Sequence, residues 1–458
     1  MISMTIQDII DMIGGVFTHN GGNLDDKIKG VSIDSRQISL SNIYFAIRGA
    51  RVDGHDYLDD VARNGAALAI IDNKDYCDSN LPTLLVEDSI VALQMLAKQY
   101  RLQSKTKVFA ITGSNGKTSC KDLLAAVLGF KYKVIKTLGN QNNEIGVPLT
   151  LLRMDKDTDY VILEMGMENL EDIHFLNAIA KPDLGIVTNV GIAHLENLKT
   201  IENIGRAKLE LMDGLDDRSL FIYNGDDPIL SKVIQEKDMH SLKIETFGLS
   251  KKNSIYLTSF EQEMDVISFK TNVSSHTFRV KTLGRHQALN TLPVLLCAYY
   301  VGLDDEVIQK GLNSYVSTGM RNELLQVCKM TILNDAYKSN PQSAKAALDT
   351  FEGIASEYKI IVLGDMLDLG PNMNDFHYDV GEYLNAITYD ELICFGELSK
   401  FIIDGAKAKK PDKKYFHAKT HDEIFAYLEK FKDKDCAVLF KGSRGMKLDE
   451  IVDRLIGD

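Results

Sequence analysis

The sequence predicts an α/β protein of three domains, on the evidence of its length and of two series of strand-like runs. A chain of 458 residues is longer than one ordinary hydrophobic core can organise, so about two to four domains are expected. Short apolar runs alternate with helix-patterned segments, which favours mainly parallel sheets covered by helices on both faces. We therefore expect domains over residues 1–104, 105–318 and 319–458.

The N-terminal domain is predicted from three short strand-like runs that precede a long helix. The runs cover residues 43–47, 67–72 and 83–88, and the helix covers residues 91–103. The polar segment at 104–107 is typical of a linker. The first domain boundary is therefore placed at this segment.

The central domain begins with a strand that leads into a glycine-containing turn. Residues 108–112 are apolar and β-prone, and a helix-patterned run begins at Lys117. Glycine permits backbone angles closed to other residues, and a helix N-terminus directs N–H groups towards an anion. Lys117 would reach the terminal phosphates of a nucleotide, and Thr118 would take a coordination position on Mg²⁺. The candidate nucleotide-binding residues of the turn are Gly113, Ser114, Asn115, Gly116, Lys117, Thr118 and Ser119.

The turn has the short form TGxxGKT of a phosphate-binding loop. The generic motif GxxxxGK(S/T) has a glycine where this chain has Ile111. A glycine-rich surface turn is the alternative, but the order of strand, turn and helix favours a nucleotide site.

Polar residues also follow the next predicted strands of the central domain. The strand at 160–165 contains Glu164 at its end, and Asn189 and His194 come at or after the end of the strand at 184–190. Ligands bind at the carboxyl ends of the strands in such sheets. A carboxylate in an apolar strand is costly unless it is paired, so Glu164 is a candidate Mg²⁺ ligand, with a solvated carboxylate or a helix cap as the alternative.

Two further side chains of this domain have less distinctive surroundings. His194 is a candidate for a metal or phosphate role, and a structural hydrogen bond is the equally weighted alternative. Lys208 lies in an amphipathic helix-patterned segment that includes Ile204 and Leu211. Since a helical lysine is usually a solvated charge, the pattern alone gives Lys208 no function.

A second series of strands begins near residue 319 and predicts a separate C-terminal α/β domain. Arg321 follows the proposed boundary, and a guanidinium there could reach phosphate from the third domain. Asp335 ends the first strand of the series. Two strand-end surfaces, one of which carries a phosphate loop, predict an active site in a cleft between domains. The predicted strands lie within residues 330–337, 359–366, 391–397 and 436–445.

Composition excludes several classes of function. The net charge of −13 disfavours a general nucleic-acid binder, which needs a basic surface. The six cysteines show no CxxC pair or metal-ligand spacing and are typical of free thiols in a reducing cytosol. The longest nearly apolar run, at 292–303, is shorter than the roughly twenty residues that span a bilayer, and no leader sequence opens the chain. We expect a cytoplasmic protein with no membrane insertion and no nucleic-acid partner.

Taken together, these motifs resemble those of the Mur ligases, ATP-dependent amide-forming enzymes of peptidoglycan precursor synthesis. The matching segments of the central domain are TGSNGKTS at 112–119, LEMG at 163–166, NVGIAHLE at 189–196, RAKLEL at 206–211 and GRHQALN at 284–290. The resemblance implies an N-terminal UDP-binding domain, a central P-loop ATPase domain and a Rossmann-like C-terminal domain. The last of these would bind the incoming substrate and complete the ATP site.

The resemblance also implies a set of metal and nucleotide contacts. Mg²⁺, in two sites, would be held by Thr118, Glu164 and His194, together with Lys208 after CO₂ converts that lysine to a carbamate. ATP would be contacted by residues that include Asn290, Arg321 and Asp335. Catalytic roles are implied for Lys117, His194, Lys208 and Arg321.

Several segments resemble the branch of the family that adds D-alanyl-D-alanine. The implied reaction joins D-Ala-D-Ala to UDP-MurNAc-tripeptide through an acyl phosphate, and a monomer is expected. The segments that resemble this branch lie at 138–152, 334–343, 362–377 and 439–450, whereas those at 34–36 and 45–57 resemble the UDP-binding signatures of the whole family. The implied substrate contacts are Ser35, Arg36, Arg48, Gly49, Asp53, Gly54, His55, Asn140, Asn142, Asn143, Tyr337, Asn340 and Arg444.

The chain departs from this pattern at Lys338 and Ser339, which replace the usual Asn-Ala beside Tyr337. Two alternatives to the implied function stay open. One is another amino-acid-adding ligase of the same type, and the other is a non-catalytic scaffold whose domain positions depend on a nucleotide. The candidate residues Glu164, His194 and Lys208 favour an enzyme, because a switch would not need a second metal site that activates a carboxylate.

Overall fold

Three large β-sheets follow one another along the chain in the computed structural model, which describes residues 4–237 and 241–457, and a two-stranded antiparallel sheet of residues 4–5 and 27–28 accompanies the first of them. A five-stranded sheet lies within residues 16–85, a nine-stranded sheet within 107–280 and a six-stranded sheet within 323–441. Each sheet is combined with helices, which gives the α/β class that the sequence predicts.

The N-terminal unit is a small, mainly parallel sheet closed by a long helix. Its strands and helices are β1 (Met4–Thr5), α1 (Ile6–Ile13), β2 (Val16–Thr18), β3 (Lys27–Ile28), β4 (Gly30–Ser32), β5 (Asn42–Phe45), α2 (Leu58–Arg63), β6 (Leu68–Ile71), β7 (Thr83–Leu85) and α3 (Ser89–Gln103). The strand order is β2-β7-β6-β5-β4, with β2 antiparallel to β7. Strands β5 and β6 are buried along their whole length, as apolar runs in a covered parallel sheet should be. Helix α3 begins after Asp88, whose carboxylate accepts two N–H groups of the first turn.

The central unit contains the largest sheet. Its elements are β8 (Lys107–Thr112), α4 (Lys117–Gly129), β9 (Val134–Lys136), α5 (Gly146–Leu151), β10 (Tyr160–Glu164), α6 (Asp172–Ala180), β11 (Leu184–Val187), α7 (Leu195–Leu198), α8 (Ile201–Leu209), β12 (Leu220–Asn224), α9 (Pro228–Val233), β13 (Lys243–Gly248), β14 (Ile255–Glu263), β15 (Val266–Thr271), β16 (Ser274–Val280), α10 (Arg285–Tyr300) and α11 (Asp305–Asn313). The strand order is β16-β15-β14-β13-β12-β11-β8-β10-β9. Strands β8 to β14 are parallel, whereas β14, β15 and β16 form an antiparallel extension.

Sequence analysis did not predict this antiparallel extension. Strand β14 alternates buried and exposed residues over much of its length, because one of its faces is open to solvent. The other face of the extension joins the apolar cluster that includes Phe269, Phe278 and the helix α10.

The C-terminal unit is a six-stranded sheet with one antiparallel edge. Its elements are β17 (Glu323–Val327), β18 (Met330–Asp335), α12 (Pro341–Glu352), β19 (Tyr358–Gly364), α13 (Met373–Tyr383), β20 (Glu391–Phe395), α14 (Lys400–Lys407), β21 (Lys414–Ala418), α15 (His421–Leu428), β22 (Cys436–Lys441) and α16 (Asp449–Ile456). The order is β17-β18-β22-β19-β20-β21, with only β17 antiparallel among these strands. Four of the strands correspond to predicted runs, and the edge strands β17 and β21 are additional.

The register of the central sheet decides where the functional side chains lie. Strand β8 lies between β10 and β11, with Ile111 opposite Glu164 and Thr112 opposite Val187. The three strands therefore end at one edge, and the segments that follow them face the C-terminal unit. No helix within residues 4–237 and 241–457 is long and apolar enough to cross a membrane.

Candidate active site

A cavity of about 930 Å³ opens where the central and C-terminal units meet. The central unit contributes the turn at 113–119 and side chains that follow β10 and β11, and the C-terminal unit contributes residues 321–322 and the segment after β18. The cavity is thus formed by the strand ends of two sheets. This is the interdomain cleft that the sequence predicts.

The turn between β8 and α4 takes its shape from two glycines with positive φ. Gly113 has φ 149° and Gly116 has φ 79°, which favour glycine over other residues. A Cβ atom at Gly116 would collide with the amide of Asn290, and one at Gly113 would collide with Thr188. Helix α4 follows directly, so its first N–H groups face the cavity, where they can bind an anion.

The loop after β11 holds this turn in place. The N–H of Asn115 donates to Oδ1 of Asn189 at 2.9 Å, and Nδ2 of Asn189 donates to the carbonyl of Asn115 at 2.9 Å. The N–H of Ser114 donates to the carbonyl of Asn189 at 2.9 Å. The turn is therefore preorganised by the neighbouring strand end rather than by its own residues alone.

Lys117 places its ammonium beside the turn. Its Nζ donates to the carbonyl of Gly113 at 2.7 Å. Burial lowers the pKa of Lys117 to about 8, against the attraction of Glu164, and repulsion from Lys338 and Arg321 adds to the decrease. A bound phosphate would relieve this unfavourable environment.

Thr118 and Glu164 form a buried pair of oxygen ligands. The hydroxyl of Thr118 donates to Oε2 of Glu164 at 2.8 Å, and the amide of Asn142 donates to Oε1 at 3.0 Å. The nearest cation to the carboxylate, Lys121, lies 3.9 Å from Oε2. Within residues 4–237 and 241–457 no three His, Cys, Asp or Glu side chains converge on a metal position. A hydroxyl beside a buried carboxylate fits Mg²⁺, which commonly takes its other ligands from phosphates and water.

Lys208 is buried rather than solvated. Its side chain, near the end of α8, is 2% exposed and reaches the cavity wall. Burial lowers its pKa well below the usual value, and repulsion from Lys117 and Lys338 lowers it further. An amine held in this way has an increased neutral fraction, which reaction with CO₂ requires. The signal was present in the sequence, since Ile204, Lys208 and Leu211 recur at helical spacing on one face.

His194 lies directly before α7 in a left-handed conformation, with φ 67°. Burial lowers its pKa to about 3, and Lys338, Lys208 and Lys117 contribute by repulsion. The imidazole is therefore neutral at neutral pH. A neutral imidazole can bind a metal ion or accept a hydrogen bond.

Arg321 and Asp335 approach the same cavity from the C-terminal unit. The guanidinium of Arg321 lies 4.0 Å from the ring centre of Tyr337, and its Nε is buried without a hydrogen-bond partner in the described part of the chain. Asp335 pairs with Lys441 at 3.0 Å and accepts the N–H of Asn322 at 3.2 Å. Arg321 is thus available to an anion, whereas Asp335 is held by its neighbours.

The other predicted residues at this edge have mixed roles. Asn290 packs against Gly116 and donates to Gln287 at 3.2 Å. Asn143 accepts the N–H of Gly146 at 3.0 Å, and Arg444 donates to Asp449 at 2.7 Å. The residues of the predicted substrate set that line the cavity are Asn140, Asn142, Asn143, Tyr337 and Arg444.

Asn340 differs from these residues because it does not line the cavity. Its Oδ1 accepts the N–H of Ser343 at the start of α12, and its Nδ2 donates to Asn115. Residues that line the cavity but were not predicted as site residues include His286, Gln342 and Lys441, and Lys338, which the sequence marked only as a departure from the family pattern, lines it too. Lys441 ends the apolar strand β22, a position that could have identified it.

The seven predicted residues of the N-terminal unit lie outside this cavity, as judged over the described ranges. His55 is 1% exposed, with its Nδ1 2.6 Å from Asp53 and its Nε2 accepting the N–H of Asp72. Arg48 pairs with Asp72 at 3.2 Å. A Cβ at Gly54 would meet the backbone of Ile47. These side chains therefore organise the loop after β5.

Three of the seven remain open to a ligand. Arg36 is 86% exposed and pairs with Asp34 at 2.8 Å. Together with Ser35 it borders a separate surface depression. Gly49 is exposed, and its N–H donates to Val52 at 2.8 Å.

Three segments of the chain match protein-family models that share one family name. Residues 27–103 match "Mur ligase family, catalytic domain", residues 111–298 match "Mur ligase middle domain", and residues 320–444 match "Mur ligase, glutamate ligase domain". The matched segments cover most of the chain and correspond to the three sheets.

Relatives and solved structures agree with these matches over nearly the whole length. The UDP-N-acetylmuramoyl-tripeptide--D-alanyl-D-alanine ligase of Bacillus subtilis (strain 168) is 35% identical, over 100% of this chain and 99% of that protein. A crystal structure of MurF from Acinetobacter baumannii has a TM-score of 0.89 at 26% identity, covering 100% and 99% of the two chains. The MurF ligase of Thermotoga maritima in complex with ADP has a TM-score of 0.81 at 27% identity, covering 93% and 97%.

Proposed function

This chain belongs to the Mur ligase family, and on that premise we propose that it joins D-alanyl-D-alanine to the terminal carboxylate of UDP-MurNAc-tripeptide. The products are UDP-MurNAc-pentapeptide, ADP and phosphate, in peptidoglycan precursor synthesis. The observation that carries the proposal is the meeting of a phosphate-binding turn with Arg321 and Tyr337 of another unit in one cavity. The full-length similarity to D-alanyl-D-alanine-adding ligases selects the substrates.

The reaction requires activation because a carboxylate does not acylate an amine at neutral pH. Transfer of the γ-phosphoryl group of ATP gives an acyl phosphate and splits one difficult step into two easier ones. The carboxylate oxygen attacks phosphorus and ADP leaves. The amine of D-Ala-D-Ala then attacks the carbonyl carbon, and phosphate leaves as the amide forms.

Phosphoryl transfer depends on positioning and on neutralisation of charge. The N–H groups of the turn and the ammonium of Lys117 hold the β- and γ-phosphates. Arg321, with its free Nε, approaches the same phosphates from the C-terminal unit. Closure of the two units excludes water, which would otherwise hydrolyse the acyl phosphate.

The oxygen pair of Thr118 and Glu164 would hold Mg²⁺, and His194 with a carbamate on Lys208 would hold a second ion. Bound there, such ions would reduce the repulsion between the γ-phosphate and the attacking carboxylate. The lowered pKa of Lys208 supports the carbamate, since only the neutral amine captures CO₂. The N-terminal unit would bind the UDP moiety, with Ser35 and Arg36 at its open surface.

The test is phosphate release from ATP with purified protein, UDP-MurNAc-tripeptide and Mg²⁺. D-Ala-D-Ala, lysine and diaminopimelate are added in separate reactions. Phosphate release together with a pentapeptide product only in the D-Ala-D-Ala reaction is the expected result. Phosphate release with lysine or diaminopimelate would instead indicate another amino-acid-adding ligase. If none of the three reactions released phosphate, a nucleotide-dependent scaffold would be indicated.

A further inference from the structure

The side chain of Asn115 faces the C-terminal unit with both of its polar groups. Its Oδ1 accepts a hydrogen bond from Nδ2 of Asn340 at 2.7 Å. Its Nδ2 donates to Oε1 of Gln342 at 3.2 Å. Asn340 and Gln342 lie at the start of α12, more than two hundred residues along the chain. The phosphate-binding turn is therefore tied directly to another unit.

Both ends of this contact are held in place by their own units. The backbone N–H and carbonyl of Asn115 are bound by Asn189, as described above. Asn340 is almost fully buried and caps α12 through the N–H of Ser343 at 2.9 Å. The side-chain amide of Asn115 is thus occupied between two fixed partners, whereas the motif alone had suggested a nucleotide contact.

Gln342 also approaches the loop that carries His194. A Cβ atom at Gly191 would touch Oε1 of Gln342, so the absence of a side chain at Gly191 lets the two segments come together. Gln342 therefore lies against both the turn at 113–119 and the loop after β11. Both segments border the cavity in which phosphoryl transfer would occur.

We propose that Asn115, Asn340 and Gln342 form an interdomain clasp that couples the phosphate-binding turn to closure of the C-terminal unit. Gln342 is a positioning residue in this clasp. The inference rests on the proposed function, because the clasp would stabilise the closed arrangement of the two units, in which Arg321 reaches the nucleotide. The turn and Asn290 belong to the central unit, so the clasp should contribute less to nucleotide binding than to turnover.

The variant Gln342→Met tests this coupling, since methionine keeps the length of the side chain and removes the acceptor oxygen. Loss of one hydrogen bond of ordinary strength should lower kcat about fivefold. The Kd for ADP, measured by calorimetry, should stay within about twofold of wild type. Lys345→Met, on the same helix but directed at Tyr383, is the matched control and should leave both values unchanged.

A double-mutant cycle separates the clasp from a purely structural effect on α12. In an Asn115→Ala background, Gln342→Met should cause no further decrease in kcat, because the hydrogen bond is already lost. Fully additive effects, or a loss of ADP affinity as large as the loss of kcat, would overturn the proposal.

Small-angle X-ray scattering with ADP keeps the clasp testable even if the ligase assay fails. The double variant Asn115→Ala/Gln342→Met should have a larger radius of gyration than the wild-type protein. Equal radii would overturn the clasp whatever the substrate proves to be. If the wild-type protein released no phosphate with any acceptor, the ligase function would be overturned. The scattering result would then decide by itself whether the clasp exists.

Discussion

Charged residues in the N-terminal unit and in the interdomain cavity are arranged in opposite ways. Around His55, the carboxylate of Asp53 lies 2.6 Å from the imidazole Nδ1, and the guanidinium of Arg48 lies 3.4 Å from Asp53 and 3.2 Å from Asp72. In the cavity, Lys208 is buried near other cations, and no carboxylate of the described residues lies within 4.0 Å of its ammonium.

This difference distinguishes residues that stabilise the fold from residues that bind a ligand. Matched charges satisfy each other, and their local contribution is structural. Desolvated like charges raise the free energy of the empty protein until an anion or a metal-bound anion enters. A sequence motif contains residues of both kinds, and only the residues that each one contacts in the fold distinguish the two.

The largest effect is expected at Lys208. Lys208→Ala should lower kcat by about a thousandfold, because the variant loses a group that we place at the reacting charges. Short-chain carboxylic acids should restore part of the activity, since their oxygens can replace a carbamate. Steady-state phosphate release with and without added acetate is the measurement. Full activity in the unsupplemented variant would show that Lys208 is only a buried structural amine.

Arg321 should give the next largest effect. Arg321→Ala removes the guanidinium that the C-terminal unit contributes, and kcat should fall about a hundredfold while the circular dichroism spectrum and thermal midpoint stay unchanged. Arg454→Ala is the matched control, because Arg454 is paired with Asp422 on an exposed surface. Equal kcat values for the two variants would remove Arg321 from the mechanism.

The sequence predicts the strands of the three sheets better than it predicts the partners of the site residues. Apolar runs in covered parallel strands are continuous and easily recognised, as in β10 and β19. The edge strands β9, β17 and β21 are short or partly exposed, so their sequences lack that signal.

The site divides in the same way. Lys117, Thr118 and Glu164 could be placed because a strand, a turn and a helix fix their positions locally. The contacts of Asn115 with Asn340 and Gln342 depend on how two units approach each other, which no local pattern specifies. The burial of His55 is likewise a property of the folded loop rather than of the motif around it.

Nucleotide affinity should depend on pH through Lys117. Burial lowers the pKa of this lysine to about 8 in the free protein, so its ammonium is charged below pH 8 and becomes neutral above it. Since phosphate binding needs the charged form, the Kd for ADP without divalent metal should rise about tenfold between about pH 7.5 and 9.5. Isothermal titration calorimetry across this range checks the prediction.

A variant that cannot lose its charge sharpens this experiment. Arginine stays protonated throughout the range, so Lys117→Arg should give an ADP affinity that changes little with pH. The same slope in both proteins would assign the pH dependence to some other group.

The smallest effect on the reaction is expected in the N-terminal unit. His55→Ala leaves Asp53 and the N–H of Asp72 without their partner, and it should lower the free energy of unfolding by about 2 kcal/mol. His19→Ala, at an exposed position of the same unit, is the control and should leave stability nearly unchanged. Chemical denaturation measures the free energy of unfolding of both variants, and calorimetry gives their ADP affinities.

Because His55 lies outside the cavity, the folded His55→Ala protein should bind ADP as tightly as wild type. A weaker ADP affinity with unchanged stability would mean that the matched charges also serve the nucleotide site, and the distinction between the two regions would fail.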